Sequence, residues 1–309
     1  MDIAWYCWVL LPLAGFVGMY SGGYWGVGCS WLIVSIMLLL GATPMEAAGV
    51  ALLQMVPSML PTAIKEAPKL GWKKGDIGLN LVLPLMIVSG IFSFSGRPVN
   101  AYFYERFGDV AFRCFFAAIM VYLCIKVLAS RPQAYGSRVP RFGAKTLLPV
   151  IGAGSVIGSL SALLGVGGGV FFRPLLAVGF KIPERETARA VRMLLLSTTF
   201  FGGISYVLAP GGIDWHIPAF AGLVTIGGML GFPFGVRLHK TVYEAGYALH
   251  IHKSFAIIAF LVVLNQTLNL AGYKEFARLL MIAMSVFLFL YLWLFGVYAK
   301  RHPRVCADA

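Results

Sequence analysis

The sequence predicts an all-α membrane protein of about ten or eleven transmembrane segments, arranged as two inverted-topology repeats with interrupted or re-entrant helices. Three observations lead there: the chain is too apolar for water, its basic residues gather in alternate loops, and its two halves align with each other. The 309 residues are 59% hydrophobic and only 12% charged, with mean hydropathy +0.83. A single water-soluble core cannot hide so much apolar surface.

Apolar stretches bounded by charge, proline or glycine lie near 4–21, 27–41, 46–64, 76–95, 110–129, 146–164, 170–180, 187–208, 216–237, 252–271 and 276–299. Most reach the roughly 20 residues that a hydrocarbon layer about 30 Å thick demands of a helix. The stretches 27–41 and 170–180 fall short and read as half-helices or re-entrant pieces. The opening "MDIAWYCWVLLPLAG" has neither a positive n-region nor a small-residue cleavage site, so it reads as a retained first helix.

The formal charge of +13 suggests a nucleic-acid binder only until its distribution is examined. Lys65, Lys69, Lys73 and Lys74 crowd one loop, Arg131, Arg138, Arg141 and Lys145 another, and Lys300, Arg301 and Arg304 the tail, whereas the loops near 96–109, 209–215 and 271–275 are balanced or carry a lone acid such as Asp214. This is the positive-inside pattern. It places the basic loops and the C-terminus in the cytoplasm and the N-terminus outside, in a multi-pass protein of the bacterial inner membrane. The expected partners are the lipid bilayer and a small anionic substrate, with a coupling proton left open and no nucleic acid.

Shifting the chain against itself lays 14–58 over 153–197 without a gap. Identities include Gly15/Gly154, Gly26/Gly165, Gly28/Gly167, Pro44/Pro183 and Ser58/Ser197; a slip of one position then aligns Asp76 with Asp214 and Gly90 with Gly228. The basic 65–75 loop corresponds to the acid-tipped loop near 204–214, so the halves are expected to be inverted, with the substrate site where they meet. The expected organisation is a first repeat at 1–130, a basic cytoplasmic linker at 131–145, a second repeat at 146–299 and a tail at 300–309.

The run "GVGGG" at 165–169, followed by an apolar half-helix with Pro174, then Gly179, Pro183 and an Ala-rich helix, all repeated, resembles the sulfite exporter TauE/SafE family, also called the toluene-sulfonate uptake permeases. The resemblance covers nearly the whole chain and implies transport of sulfite, sulfonates or related small organic anions. Two departures stand out: the first copy reads "GVGCS", and the second places Arg173 before Pro174.

Several residues could hold an anion. A helix beginning after a glycine turn aims free N–H groups and its positive dipole end at the cavity, which singles out Gly26 and Gly28 in one half and Gly167, Gly168 and Gly169 in the other; close helix packing is the competing explanation of these glycines. Arg173 and Arg192 lie at similar depths, about 12–13 Å in at ~1.5 Å per residue. With no Asp or Glu expected deep in any segment, an oxyanion is the missing partner for their planar, bidentate forks. Snorkelling to the interface is the alternative. Arg185 and Arg189, with Lys181, are either interfacial or an entry funnel.

Gln54, Ser58 and Thr62 form a polar stripe at every fourth residue, beside Pro57 and Pro61, and Ser58 is the repeat partner of Ser197. Interhelical hydrogen bonding explains such a stripe equally well. "TPME" reads as a helix start, with Thr43 as N-cap and Glu46 closing a capping box. Cys7, Cys29, Cys114, Cys124 and Cys306 show no paired spacing, and His216, His239, His250, His252 and His302 fall at segment ends as loop residues, so neither metal nor cofactor is expected. A cation channel would need buried acids, a channel or permease for a neutral solute is a further reading, and an enzyme would need a nucleophile with its base or an HExxH-like motif.

Overall fold

A computed structural model describes residues 7–129, 147–209 and 212–303. The expected linker at 131–145 and the tail beyond 303 lie outside the described residues. The described chain is almost wholly helical: α1 Cys7–Trp25, α2 Ser30–Leu39, α3 Pro44–Glu66, α4 Leu83–Ser93, α5 Gly96–Ala129, α6 Leu147–Leu164, α7 Gly169–Pro174, α8 Glu184–Val207, α9 His216–Glu244, α10 Ala248–Leu270 and α11 Lys274–Arg301. Each apolar stretch of the sequence has become a helix. Six stretches among the described residues are long and apolar enough to cross a membrane: Pro44–Leu70, Gly96–Lys126, Arg185–Val207, His216–Glu244, Ala248–Leu270 and Lys274–Arg301. Ser30–Leu39, Gly78–Ser93 and Leu148–Leu164 are apolar but shorter.

Local chemistry explains the starts and stops. At α3 the Thr43 hydroxyl accepts from the Glu46 N–H at 3.2 Å while the Thr43 N–H donates to Glu46 Oε2 at 2.8 Å, so the capping box is present. Pro57 and Pro61 sit inside α3 without ending it, and Ser58 donates to the Gln54 carbonyl at 2.8 Å. A π-helical turn, Gly78–Val82, leads into α4, and another, Leu175–Gly179, continues α7.

Three expectations about loops are corrected. The stretch 96–109 is helical in its first part, because α5 starts at Gly96 and only breaks at Gly108, where φ is 80°. Near 65–75 the helix runs past Lys65 to Glu66 and is followed by a 3-10 turn, Ala67–Leu70, that holds Lys69. The segment expected to stop at 237 continues to Glu244, which carries His239 inside α9 rather than into a loop. Between α8 and α9 a two-residue ladder pairs Leu208 with Ile213 and Ala209 with Gly212.

The same series of elements recurs in the register that lays 14–58 over 153–197: α1, α2 and α3 correspond to α6, α7 with its π-turn, and α8. Gly108 and Gly246, which correspond once the slip of one position is included, have φ of 80° and 82°. The packing is exchanged between halves. Helix α1 lies along α9, and its counterpart α6 lies along α4, which is the counterpart of α9. Glycines make the α1–α9 seam possible, since a Cβ on Gly227, Gly231 or Gly235 would collide with the backbone of Pro12, Phe16 or Tyr20.

The equivalent helices α3 and α8 pack directly against each other and run antiparallel. Gly203, late in α8, sits on Leu53 in the first half of α3, while Arg192, early in α8, meets Glu66 at the end of α3. The two halves therefore interlock around α3 and α8, with the basic end of both helix pairs on one side and the 208–213 ladder on the other.

Candidate functional site

Each first helix is interrupted at a glycine turn in a left-handed backbone that glycine alone adopts without strain. Gly26 and Gly28 have φ of 68° and 72°, and Gly165 and Gly167 both have 70°. The turns meet across α3 and α8: a Cβ on Gly167 would lie 2.9 Å from Thr199 Cγ2 and 3.1 Å from Met55 Sδ, and one on Gly28 would strike Met55 and approach Leu195 at 3.5 Å. A Cβ on Gly169 would collide with the Val27 carbonyl of the opposite turn. Both turns are buried, and Thr198 anchors the second by donating to the Gly167 carbonyl at 2.7 Å. Helix α7 has only six residues, under two turns, so its dipole is far smaller than that of a full helix.

The broken end of each first helix leaves carbonyls to satisfy, and side chains from other helices meet them in both halves. In the second half Asn100 Nδ2 donates to the Leu163 carbonyl at 2.7 Å and the Tyr206 hydroxyl to the Ala162 carbonyl at 2.8 Å. In the first half His239 Nδ1 lies 2.6 Å from the Tyr24 carbonyl, and Arg173 donates to the Trp25 carbonyl. Tyr24 and Leu163 are partners in the ungapped repeat register, and with the slip of one position Asn100 falls opposite Leu238, next to His239. Trp25 is itself fixed by its indole N–H on Ser254 Oγ at 3.1 Å and by edge contact with Phe255, ring centroids 5.5 Å apart.

Of the two arginines prominent in the sequence, Arg192 lines one cavity with His239, and Arg173 bonds the Trp25 carbonyl, next to the Tyr24 carbonyl that His239 meets. Arg173 is half-buried on α7 and bonded to backbone at the α1 end. Arg192 is 4% exposed and pairs with Glu66. This corrects the expectation that no carboxylate neutralises it. Glu66 lies just beyond the apolar stretch 46–64, and because α3 stays helical to that point its side chain reaches α8 from 126 positions away.

The remaining candidates lie along the same crossing. Gln54 and Ser58 are buried against Gly228 of α9, where a Cβ would lie 3.3 Å from Gln54 Oε1 and would strike Ser58 Oγ. Ser197 sits equivalently against Gly90 of α4, where a Cβ would lie 2.5 Å from its Oγ, and it donates to the Met86 carbonyl at 2.7 Å. The repeat partners Ser58 and Ser197 thus meet the repeat partners Gly228 and Gly90. Gly26 faces Ala188 with a Cβ distance of 3.8 Å. The histidines expected in loops are corrected further. His250 lies in the first turn of α10, with Nδ1 2.9 Å from the Tyr24 hydroxyl and Nε2 2.6 Å from that of Tyr291.

At the basic end of the α3–α8 pair a cavity of about 270 Å³ opens, with Lys69, Arg185, Arg189, Arg192, Arg237 and Lys240 in its lining. Glu66, Asn100, Tyr206 and His239 hold contacts around the turns and the cavity that sequence reading missed.

The family described as sulfite exporter TauE/SafE matches residues 11–266. No curated protein and no solved structure matches the chain. Apolar helices long enough to cross a membrane and a family match over most of the sequence agree, and the chain is a multi-pass membrane protein that belongs to the sulfite exporter TauE/SafE family of membrane transporters.

Proposed function

We propose that the protein is a secondary transporter of a small anion, either sulfite, a sulfonate or a related organic acid, working by alternating access between two inverted repeats. The observation that carries this reading is the antiparallel packing of α3 on α8, helices that occupy equivalent places in the two halves. A rotation that opens one end of such a pair closes the other, because each half presents to one face what its counterpart presents to the opposite face. The basic end is the cytoplasmic one in this reading.

The anion passes between the glycine turns, Gly26 and Gly28 on one side and Gly167, Gly168 and Gly169 on the other, with Arg173 and Arg192 supplying charge and Gln54, Ser58 and Ser197 supplying hydroxyl and amide groups along the crossing. The tight contacts of both turns with Met55, Leu195 and Thr199 mean that the path is closed there until the halves move. Positive charge near the path favours anions over cations and neutral solutes.

The test is uptake into proteoliposomes of a panel comprising sulfite, taurine-like and aryl sulfonates, and short carboxylates. Saturable uptake of at least one anion, with mutual competition inside one chemical group, is expected. Flux of a cation or a neutral solute with no flux of any panel anion would overturn the reading.

A further inference from the structure

The cavity at the basic end is built around the ion pair of Arg192 with Glu66. Six of its lining side chains are Lys or Arg, and two are Glu. Arg189 is paired with Glu186 at 3.3 Å and Lys240 with Glu244 at 3.8 Å, while Lys69 and Arg185 make no ion pair among the described residues. At the inner wall stands Arg192, more than nine-tenths buried, with one terminal nitrogen on Glu66 and its Nε without a hydrogen-bond partner among the described residues. The cavity has positive charge in excess and a buried guanidinium that is only partly satisfied.

The position of Glu66 is also unusual. It closes the last turn of α3, where the negative end of the helix dipole opposes a carboxylate. Local structure alone would place a cation there. The carboxylate is held by Arg192, and Arg192 in turn would carry an uncompensated buried charge without it. A cavity of about 270 Å³ has room for a small oxyanion with part of its hydration.

We propose that Glu66 is a tethered counter-ion, and that an anion entering this cavity displaces it from Arg192; the proposal rests on the anion-transport reading above. The exchange is one carboxylate for one oxyanion on the same guanidinium. No bare buried charge appears at any point, so the step avoids the cost that a vacant Arg192 would incur. The released carboxylate remains in a cavity with Lys69 within the same lining. A cation or a neutral solute has nothing to offer Arg192 in return and leaves the pair closed. The ion pair is therefore a selectivity contact at the basic end, opened by the substrate's own charge.

Sodium sulfite is the probe, with binding to the detergent-purified full chain measured by titration calorimetry at low salt. Glu66→Gln removes the competitor and keeps the side-chain shape; it is expected to bind sulfite about tenfold more tightly than wild type, a coupling in the range measured for close charge pairs. Glu66→Asp, which keeps the charge and draws it back by one methylene, is expected to fall between the two and serves if the amide variant does not fold. The double variant Glu66→Gln, Arg192→Gln is expected to lose the gain. A Glu66 that only ties α3 to α8 predicts lower melting temperatures for both single variants and sulfite affinity equal to wild type, and that result would overturn the proposal. Tighter binding in Glu66→Gln with no panel anion taken up by wild type would instead leave the exchange standing and remove the transport reading; uptake of sulfite with unchanged affinity in Glu66→Gln would do the reverse.

Discussion

The turn at 26–29 and the turn at 165–168 share a backbone and differ in almost everything attached to it. Their glycines match to within a few degrees of φ, and a carbonyl before each turn is met by a side chain from another helix. Yet the first leads into ten residues of helix, and the second, with a third left-handed glycine at Gly168, into only six before a π-turn. Neutral groups, Asn100 and Tyr206, close one helix end, while His239 and Arg173 close the other. Arg173 has Val34 as its repeat partner, an aliphatic residue buried in the core. Backbone geometry is the repeated property and charge is the property that differs. A scaffold with two equivalent ends has become electrostatically one-sided.

The largest test of this comparison is Gly169→Ala set against Ser30→Ala, its repeat partner. A methyl on Gly169 meets the Val27 carbonyl, backbone against backbone, and neither side can rotate away. Overpacking of this kind costs about 3 kcal/mol, and transport should be lost along with a lowered melting temperature. Ser30 is buried, and its hydroxyl has no partner among the described residues, so removing it should change the melting temperature little. Equal effects at the two sites would show that the turns are not differently packed.

Next in size is Arg173→Leu against Val34→Leu. Losing a charged donor from the Trp25 carbonyl should cost about 1.5–3 kcal/mol, and sulfite should no longer raise the melting temperature, because mass-action stabilisation requires binding. Arg173→Lys keeps the charge without the fork and should retain a reduced shift. Val34→Leu should keep the full sulfite shift. A full shift in Arg173→Leu would take that arginine out of the substrate path.

The smallest expected difference is between Gly28→Ala and Gly167→Ala. A left-handed alanine costs about 1–2 kcal/mol wherever it stands, so both should lose that much in thermal unfolding. Gly28→Ala adds a clash with the flexible end of Met55, which can swing aside, and Gly167→Ala adds one at 2.9 Å with the β-branched Thr199. The second should be worse by a few tenths, and a reversed order would mean that Met55 is the less mobile of the two neighbours.

What the sequence revealed was local. Helix positions follow from runs of apolar residues, the α3 start from Thr43 and Glu46, and the paired turns from glycines in register. The family follows from the same register. The charge network escaped because its partners are far apart in sequence and sit just past the limits that hydropathy draws. Glu66 follows its apolar stretch closely and His239 does the same, and in each case the helix carries on into polar sequence beyond the limit that hydropathy draws. Asn100 stood in what read as a balanced loop. No periodicity links Glu66 to Arg192 across 126 positions; only the packing of α3 on α8 does.

The exchange of helices between halves bears on how the chain is made. Helix α1 ends at Trp25, and the helix it packs along begins at His216. At about 5–20 residues per second of synthesis, roughly 10–40 s separate the two events. During that interval α1 resides in the lipid without its main partner, its glycine-lined face open. The exchange in the other direction is shorter, since α4 is already present when α6 emerges. Neither half alone contains the main contacts that seat its first helix, so assembly is completed only when the late helices arrive, and the order of emergence from the ribosome sets the earliest moment at which the bundle can close.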